Sequence, residues 1–261
     1  MTVPIDGQLM DAQAFRQHVE TLDLDQVRRV VIHHTAKPNE ATWTRWGGWH
    51  YWKGTLKAHY ESKGWSKGPH LFVGPDGIGL FYDLEQDGRG VGGGSLEQGA
   101  RHIEIVGNFS DHVPEGATLA NAVAAAAAIL DAAGLGIDAL THHTAVVGPG
   151  VTECPGAALR AAWGWFVEEV AGARIAGREA IENAIGEAVQ ASIIPLNPVA
   201  AFEVAGAKRG LLPASTEVDV EVGSVTYRAQ AYRAPGRREW QEIVYCPVGA
   251  WGDLTWFERR N

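Results

Sequence analysis

Two histidine pairs and one cysteine, far apart in the sequence, carry side chains that suit a metal site: His33-His34, His142-His143 and Cys154. Two imidazoles and one thiolate are a donor set that catalytic zinc accepts, with a fourth position left open for water. A metal ion in such a site lowers the pKa of that water toward neutrality. The residue types therefore point to hydrolytic chemistry at a zinc centre.

The alternative is that each histidine is an ordinary hydrogen-bonded residue and that Cys154 is a small buried hydrophobe. One histidine pair alone favours that interpretation. Two pairs followed by a Cys-Pro-Gly segment favour the metal site. The spacing does not decide which histidine of the second pair binds, because folding alone brings such distant segments together.

The segments around these residues alternate between strand and helix patterns, which indicates an α/β fold with one mixed central sheet flanked by helices. The predicted elements are a buried strand at 27–32, a hairpin at 69–82, a strand at 102–109 and an alanine-rich helix at 118–133. The first strand delivers His33 to its end, where catalytic residues often lie. The turn signal Pro75-Asp76-Gly77 divides the hairpin.

A cluster of tryptophans follows the first histidine pair and has two interpretations. The residues are Trp43, Trp46, Trp49, Trp52 and Trp65. Flat rings suit the faces of sugars and could line a groove for glycan. Aromatic residues at this density more often form core, and we favour that interpretation.

The C-terminal part of the chain has a different pattern. A helical stretch is followed by short segments in which apolar and polar residues alternate between glycine and proline turns, as in a small β domain. We expect a catalytic domain at 1–165, a connecting helix at 166–192 and a small β-rich domain at 193–261.

Composition excludes several classes of protein. The chain of 261 residues is 46% hydrophobic, which is enough for a sizeable core, and its formal net charge of −9 disfavours nucleic acid as a partner. Residues 1–15 lack the pattern of an export signal, and no stretch reaches the roughly 18 apolar residues of a membrane span. We therefore expect a protein made in the cytoplasm that does not insert into membranes. Two cysteines in different settings argue against a disulfide framework.

Four short motifs occur in the order found in one family of cell-wall enzymes. They are VIHHTA at 31–36, GPHLFV at 68–73, IEIVG at 103–107 and TECPG at 152–156. In this order they resemble the type-2 N-acetylmuramoyl-L-alanine amidases, which include phage lytic amidases and are similar in fold to animal peptidoglycan-recognition proteins. The resemblance covers about residues 11–165.

The resemblance implies a zinc ion and its ligands. His33 matches the first ligand of the family, and Cys154 matches the third. Family members place the second ligand three residues after an apolar residue. Counting from Leu140 gives His143, and His142 is held in reserve.

The resemblance also implies catalytic residues. Glu104 matches an acidic residue that acts near the metal as general base and acid. Thr152 matches a hydrogen-bond donor to the developing oxyanion, although a threonine in a turn is the simpler interpretation. His70 lacks the preceding tyrosine that assists catalysis in many phage members, since Pro69 stands there. This departure shifts proton transfer onto Glu104, with His70 as a possible helper.

A second departure is a glycine loop, Gly90-Val91-Gly92-Gly93-Gly94, where relatives often have a histidine. We expect its backbone donors to replace the lost contact with substrate or the grip on substrate to be weaker.

Together these residues predict zinc-dependent hydrolysis of the bond between N-acetylmuramic acid and L-alanine in bacterial peptidoglycan. A phage endolysin or a virion-associated lysin fits, acting on the cell wall after release by a holin or from the virion. The C-terminal region would then bind wall, bind phage tail and baseplate proteins, or brace the catalytic domain. One rival is a noncatalytic peptidoglycan-binding module of the same fold, which the presence of Cys154 disfavours. The other is an enzyme that recycles free muropeptides, which the additional C-terminal region disfavours.

Overall fold

A computed structural model describes residues 7–192, 212–213, 217–222, 225–233 and 242–247. Six strands form the first sheet: β1 (Leu9–Met10), β2 (Arg29–His34), β3 (Leu71–Gly74), β4 (Gly77–Leu80), β5 (Ala100–Ile105) and β6 (Leu140–His142). Their order is β1-β4-β3-β5-β2-β6. The pairs β3–β5, β5–β2 and β2–β6 are parallel, whereas β1–β4 and β3–β4 are antiparallel. The predicted mixed sheet and its hairpin at 69–82 are confirmed.

Seven helices accompany the strands within the described residues: α1 (Ala12–Glu20), α2 (Glu40–Arg45), α3 (Gly48–Ser62), α4 (Gly116–Ala132), α5 (His143–Val147), α6 (Ala157–Ala161) and α7 (Trp163–Ser192). The N-terminus of α1 is capped by Asp11, whose side chain accepts a hydrogen bond from the Ala14 N–H at 2.7 Å. The predicted alanine-rich helix is α4. It ends before Gly134, whose φ of 64° suits a residue without a β-carbon.

One face of the sheet is apolar and packs against α4. Alternate residues of three strands supply this face: Val30, Ile32, Leu71, Val73, Ile103 and Ile105, all fully buried. Residues on α1 and α4 complete the same core. Each such side chain contributes about 1.5–3 kcal/mol through removal from water.

The other residues of the same strands point to the opposite face, because side chains alternate along a strand. His33 on β2 pairs in register with Glu104 on β5, and Glu104 pairs with Phe72 on β3. Phe72 belongs to an aromatic cluster with Trp43 and Trp49, which are both 1% exposed. These two tryptophans are therefore core, as expected, whereas Trp46 is 53% exposed.

The chain divides into two compact units, residues 1–174 and 175–261. Four antiparallel strands form a small sheet in the second unit: β7 (Leu212–Pro213), β8 (Val218–Val222), β9 (Val225–Arg233) and β10 (Glu242–Pro247). The strand β9 pairs with each of the other three. The predicted β-rich region is confirmed to this extent. Its role and the functional boundaries at 165 and 192 stay predictions, and most of 193–261 lies outside the described residues.

No helix in the described part of the chain is both long and apolar enough to cross a bilayer.

Candidate metal centre and active site

Three side chains from distant parts of the chain converge at the ends of β2 and β6. The ligand atoms of His33, His143 and Cys154 all lie within 4.8 Å of one another. Nδ1 of His33 is 3.1 Å from Nδ1 of His143 and 3.6 Å from Sγ of Cys154. Tetrahedral zinc with ordinary Zn–N and Zn–S bonds separates its ligand atoms by roughly 3.3–3.6 Å. The donor types and their spacing therefore fit a zinc ion.

Strand register decides which neighbour of each histidine pair enters the cluster. On the parallel strands β2 and β6, Ile32 pairs with His142, so His143 comes next to His33. His142 has another task, since its Nδ1 accepts a hydrogen bond from the Ala145 N–H at 3.2 Å at the start of α5. Its ring also packs edge-on against Trp163 at 4.8 Å. The structure thus brings His143 to the cluster and leaves His142 outside it.

His34 is separated from the cluster in the same way. Its Nδ1 accepts a hydrogen bond from the Phe109 N–H at 3.2 Å, on the apolar side of the sheet. Burial, followed by the charge of Arg160, lowers the pKa of His34 to about 4. A neutral ring at this position is a structural hydrogen-bond acceptor.

Backbone hydrogen bonds hold Cys154 against the end of β2. Its Sγ accepts from the His34 N–H at 3.4 Å, and its own N–H donates to Oγ1 of Thr152 at 3.2 Å. Burial, followed by the charge of Glu104, raises the pKa of the Cys154 thiol. The thiol of the metal-free protein is therefore protonated, and binding of a metal ion must release that proton.

The histidine rings of the cluster are held neutral. Burial is the main reason that the pKa of His33 lies well below its ordinary value, and the neighbouring charges of His102 and His143 act in the same direction. Burial also lowers the pKa of His143. Neutral imidazole is the form that binds a metal.

Glu104 lies beside His33 on the same face of the sheet. Burial raises the pKa of its carboxyl to about 8. A carboxyl whose pKa lies close to neutrality can both accept and deliver a proton, as general acid–base catalysis requires. The same acidic group helps to raise the pKa of Tyr60 on α3, after burial as the main cause. The phenol of Tyr60 therefore lies within the electrostatic reach of Glu104 and Cys154.

Thr152 and His70, the other two predicted catalytic residues, have contacts of their own. The Thr152 hydroxyl accepts from the Cys154 N–H, which is the geometry of a turn threonine and leaves its own hydrogen for a further acceptor. His70 is completely buried. Its Nδ1 accepts from the His102 N–H at 2.9 Å, and its Nε2 lies 2.9 Å from the Gln86 carbonyl. With both ring nitrogens engaged, His70 is not brought to the metal cluster.

The model of the N-acetylmuramoyl-L-alanine amidase family matches residues 23–157, which is more than half of the chain. The chain belongs to this family. The matched segment contains all three residues of the cluster and Glu104. Family membership supports a function on peptidoglycan, either as an amidase or as a binding protein.

Solved structures similar to this amidase-family chain include two enzymes from Clostridium intestinale URNW. The endolysin N-acetylmuramoyl-L-alanine amidase LysCS is 19% identical with a TM-score of 0.38, over 51% of this chain and 77% of that one. The N-acetylmuramoyl-L-alanine amidase LysC is 20% identical with a TM-score of 0.41, over 51% and 78%. Drosophila PGRP-LB is 21% identical with a TM-score of 0.42, over 52% and 79%. A search of curated proteins found no match.

Sequence reasoning missed two polar residues next to the cluster of His33, His143 and Cys154. His102 precedes Glu104 by two positions, so both side chains face the same side of β5. Its Nδ1 is 3.1 Å from Nε2 of His33. Its Nε2 is 2.7 Å from a carboxylate oxygen of Glu97, which is also buried. The period-two alternation of the strand could have identified His102, but no local pattern indicates Glu97.

The glycine loop directs backbone donors into the protein, which disfavours the first of the two alternatives for this loop and leaves a weaker grip on substrate as a prediction. The N–H groups of Gly90, Val91 and Gly93 donate to Glu97 at 2.9–3.1 Å. These three donors are therefore occupied within the protein and do not face a substrate. Beside the loop lies a groove of about 340 Å³ whose lining includes Lys67 and Arg89.

Proposed function

We propose that this protein hydrolyses the amide bond between N-acetylmuramic acid and L-alanine in bacterial peptidoglycan, with a zinc ion held by His33, His143 and Cys154. The observation that carries the proposal is the convergence of these three donor atoms within 4.8 Å, from segments more than a hundred residues apart in the case of His33 and His143. Their convergence inside a segment that matches an amidase family supports catalysis in addition to binding.

Zinc, when bound, supplies a Lewis acid that polarises the amide carbonyl and acidifies water. The residues around it manage the protons. Glu104 accepts the proton of the attacking water and delivers it to the leaving amide nitrogen, a role supported by its raised pKa. A positive charge nearby favours the carboxylate form of Glu104, so occupancy of the site prepares it to act as a base.

Thr152 is the proposed donor to the oxyanion that develops on the carbonyl. Its hydroxyl hydrogen is not used in the bond from the Cys154 N–H. Oxyanion donors of this kind contribute about a hundredfold to rate. We assign His70 a structural role, because hydrogen bonds at both ring nitrogens hold it inside the sheet.

The test of the proposal is digestion of peptidoglycan by the purified protein, with and without a chelator, followed by mass analysis of the fragments. We expect new amino-terminal L-alanine together with intact glycan reducing ends, and about one bound zinc per chain. Chelation and the Cys154→Ser substitution should both abolish cleavage.

Two other outcomes would overturn the proposal in different ways. Zinc bound at one equivalent with no cleavage, while muropeptide is still captured, would identify a noncatalytic binding protein of the same fold. Absence of bound zinc in the intact wild-type chain would refute the metal site itself.

We further propose that the enzyme acts as a bacteriophage lysin. Residues 193–261 would then bind the cell wall or attach the enzyme to a virion. This part of the proposal is supported by the presence of phage lytic enzymes among the members of the amidase family. A chain ending at Ser192 should then lose affinity for intact walls in a sedimentation assay while it still cleaves soluble muropeptide. Unchanged wall binding would exclude the wall-binding role.

A further inference from the structure

A line of buried polar side chains leads away from the metal cluster toward the glycine loop. It runs from His33 through His102 to Glu97, with contacts of 3.1 Å and 2.7 Å. His33 is 1% exposed, His102 is completely buried, and Glu97 is 7% exposed. Burial shields these side chains from solvent, so the protein groups around them determine which nitrogen carries hydrogen.

The glycine loop fixes Glu97 as a hydrogen-bond acceptor. Oε1 of Glu97 accepts from the N–H groups of Gly90, Val91 and Gly93, and Oε2 accepts from Gly90 as well. Burial by itself would raise the pKa of Glu97. The hydrogen bonds that Glu97 receives from His102 and from the backbone N–H groups of Gly90 and Val91 outweigh burial and lower the pKa to about 2. The carboxylate is therefore ionised and has no hydrogen to donate.

The hydrogen on His102 follows from this. Nε2 of His102 faces Oε2 of Glu97 at 2.7 Å, and although its N–H bond is oblique to that line, no other acceptor is paired with it among the described residues. A neutral imidazole carries one hydrogen, so hydrogen on Nε2 leaves Nδ1 as an acceptor. The atom that faces Nδ1 is Nε2 of His33.

We propose that Glu97 and His102 are positioning residues that hold His33 as the Nε2–H tautomer, so that its Nδ1 presents a free lone pair to the metal. The inference rests on the proposed zinc function. Nδ1 of His33 is the atom that lies 3.1 Å from Nδ1 of His143 and 3.6 Å from Sγ of Cys154, as the cluster requires. In proteins generally, a hydrogen-bond partner at the second ring nitrogen orients a metal-binding histidine.

Packing prevents the ring of His102 from turning away from this line. Its ring stacks on His70, with centroids 5.6 Å apart and planes at 21°, and the backbone N–H of His102 donates to Nδ1 of His70. On the other side lies Gly90, where an added β-carbon would fall 2.6 Å from Nδ1 of His102. The absence of a side chain at Gly90 lets the loop approach the ring closely enough to bring its N–H groups to Glu97.

The substitution Glu97→Gln tests the proposal by reversing the line. The amide oxygen of glutamine satisfies the loop N–H groups, and its NH₂ group then faces Nε2 of His102. His102 must respond by placing hydrogen on Nδ1, which forces hydrogen onto Nδ1 of His33 and blocks the metal. We expect affinity for zinc alone, measured by competition with a chelator on the full chain, to fall at least about tenfold.

The matched control is Asp87→Asn, which removes another carboxylate from the segment that connects β4 to β5. Asp87 accepts from the Gly99 N–H at 2.9 Å and contacts Arg101 at 3.3 Å, and has no contact with His102. We expect its zinc affinity to stay within about threefold of wild type. An equal loss in both variants would mean that only long-range charge matters and would overturn the proposal.

The substitution His102→Asn tests whether Glu97 acts on His33 through His102. Oδ1 of asparagine can accept from Nε2 of His33 but cannot relay a change at Glu97, because the side chain is too short to contact both. Zinc affinity should therefore be the same in His102→Asn and in the double variant Glu97→Gln/His102→Asn. A further tenfold loss in the double variant would show that Glu97 does not act through His102.

Nitrogen NMR of the histidine rings in the metal-free full chain gives a readout that does not depend on zinc. We expect hydrogen on Nε2 of His33 in the wild type and on Nδ1 in Glu97→Gln. Hydrogen on Nδ1 of wild-type His33, or a doubly protonated His102, would overturn the inference. If the wild type binds no zinc but shows the expected tautomers, the proposed function fails and the proton line stands.

Discussion

The two faces of the central sheet carry residues of opposite character, although the same strands supply both. On β5, Ile103 and Ile105 enter the apolar core, whereas His102 and Glu104 face the candidate metal site. On β2, Ile32 is core and its neighbour His33 is a candidate ligand. Adjacent residues in the sequence therefore enter the apolar core on one side of the sheet and the candidate site on the other.

Burial has opposite effects on the two faces. For Ile103 it is a source of stability. For Glu104, burial raises the pKa to about 8. The folded protein therefore loses stability at neutral pH but holds an acid whose pKa suits the exchange of protons. Substitutions at neighbouring positions should thus separate stability from activity.

The largest effect should come from the neighbouring histidines of the second pair. His143→Ala removes a proposed ligand, and we expect at least about a thousandfold loss of activity together with loss of stoichiometric zinc. His142→Ala, on the other side of the strand, should keep zinc and activity and lose about 1 kcal/mol of stability with its helix cap. Metal analysis and peptidoglycan digestion check both. Loss of zinc in His142→Ala alone would exchange the two assignments.

The next effect concerns the apolar face. Ile103→Ala should lower the free energy of unfolding by about 3 kcal/mol, because it leaves a cavity in a fully buried position. Chemical denaturation measures this loss, and a chelator competition should find the zinc affinity of the folded variant close to wild type. A fall in zinc affinity parallel to the loss of stability would show that the two faces are not separable.

Glu104→Gln is the counterpart on the chemical face of the same strand. We expect about a hundredfold loss of activity, since the variant cannot exchange protons. In the metal-free protein we expect a gain in stability at pH 7 on the order of 2 kcal/mol. The sign follows because the unfolded chain ionises Glu104 near pH 4.5 while the folded chain retains the proton to about pH 8. Wild-type stability therefore falls relative to the variant across that interval.

Thermal unfolding from pH 4 to pH 9 checks the second part of this prediction. The two proteins should have similar melting temperatures near pH 4 and diverge as the pH rises. A constant difference at all pH values would mean that the carboxyl of Glu104 has an ordinary pKa.

The smallest effect is the acid sensitivity that Glu97 confers. Its pKa is lowered from 4.5 to about 2, so its stabilising contribution is complete above pH 4.5 and is lost as the pH falls toward 2. Between pH 5 and pH 3 we expect about 2 kcal/mol of wild-type stability to disappear beyond the loss seen in Glu97→Gln. Denaturant titrations of the two metal-free proteins at pH 5 and pH 3 give the change in unfolding free energy of each. An equal change in both proteins would refute the low pKa of Glu97.

Much of the fold could be predicted because its signals are local. The hairpin at 69–82 is marked by its own turn residues, and the helix α4 by its alanines and the following glycine. The family could be identified from four short motifs, and the family model matches the corresponding segment. The buried positions of Trp43 and Trp49 agree with the favoured core interpretation.

The line of contacts from His33 through His102 to Glu97 could not be predicted, because its members meet through contacts between loops and strands. Glu97 reaches His102 only because the glycine loop turns its N–H groups inward, and that geometry depends on the packing of Gly90 against the ring. The role of His70 as an internal hydrogen-bond partner likewise depends on its neighbours β5 and Gln86.

The sequence by itself determined the alternation of apolar and polar residues along each strand, and with it the division of the sheet into a core face and a chemical face. It also determined the donor types that suit zinc. Only the tertiary structure decided between His142 and His143, because a shift of one residue in the pairing of β2 and β6 would exchange the faces of the two rings. That register is set by packing between segments more than a hundred residues apart, which no local pattern encodes.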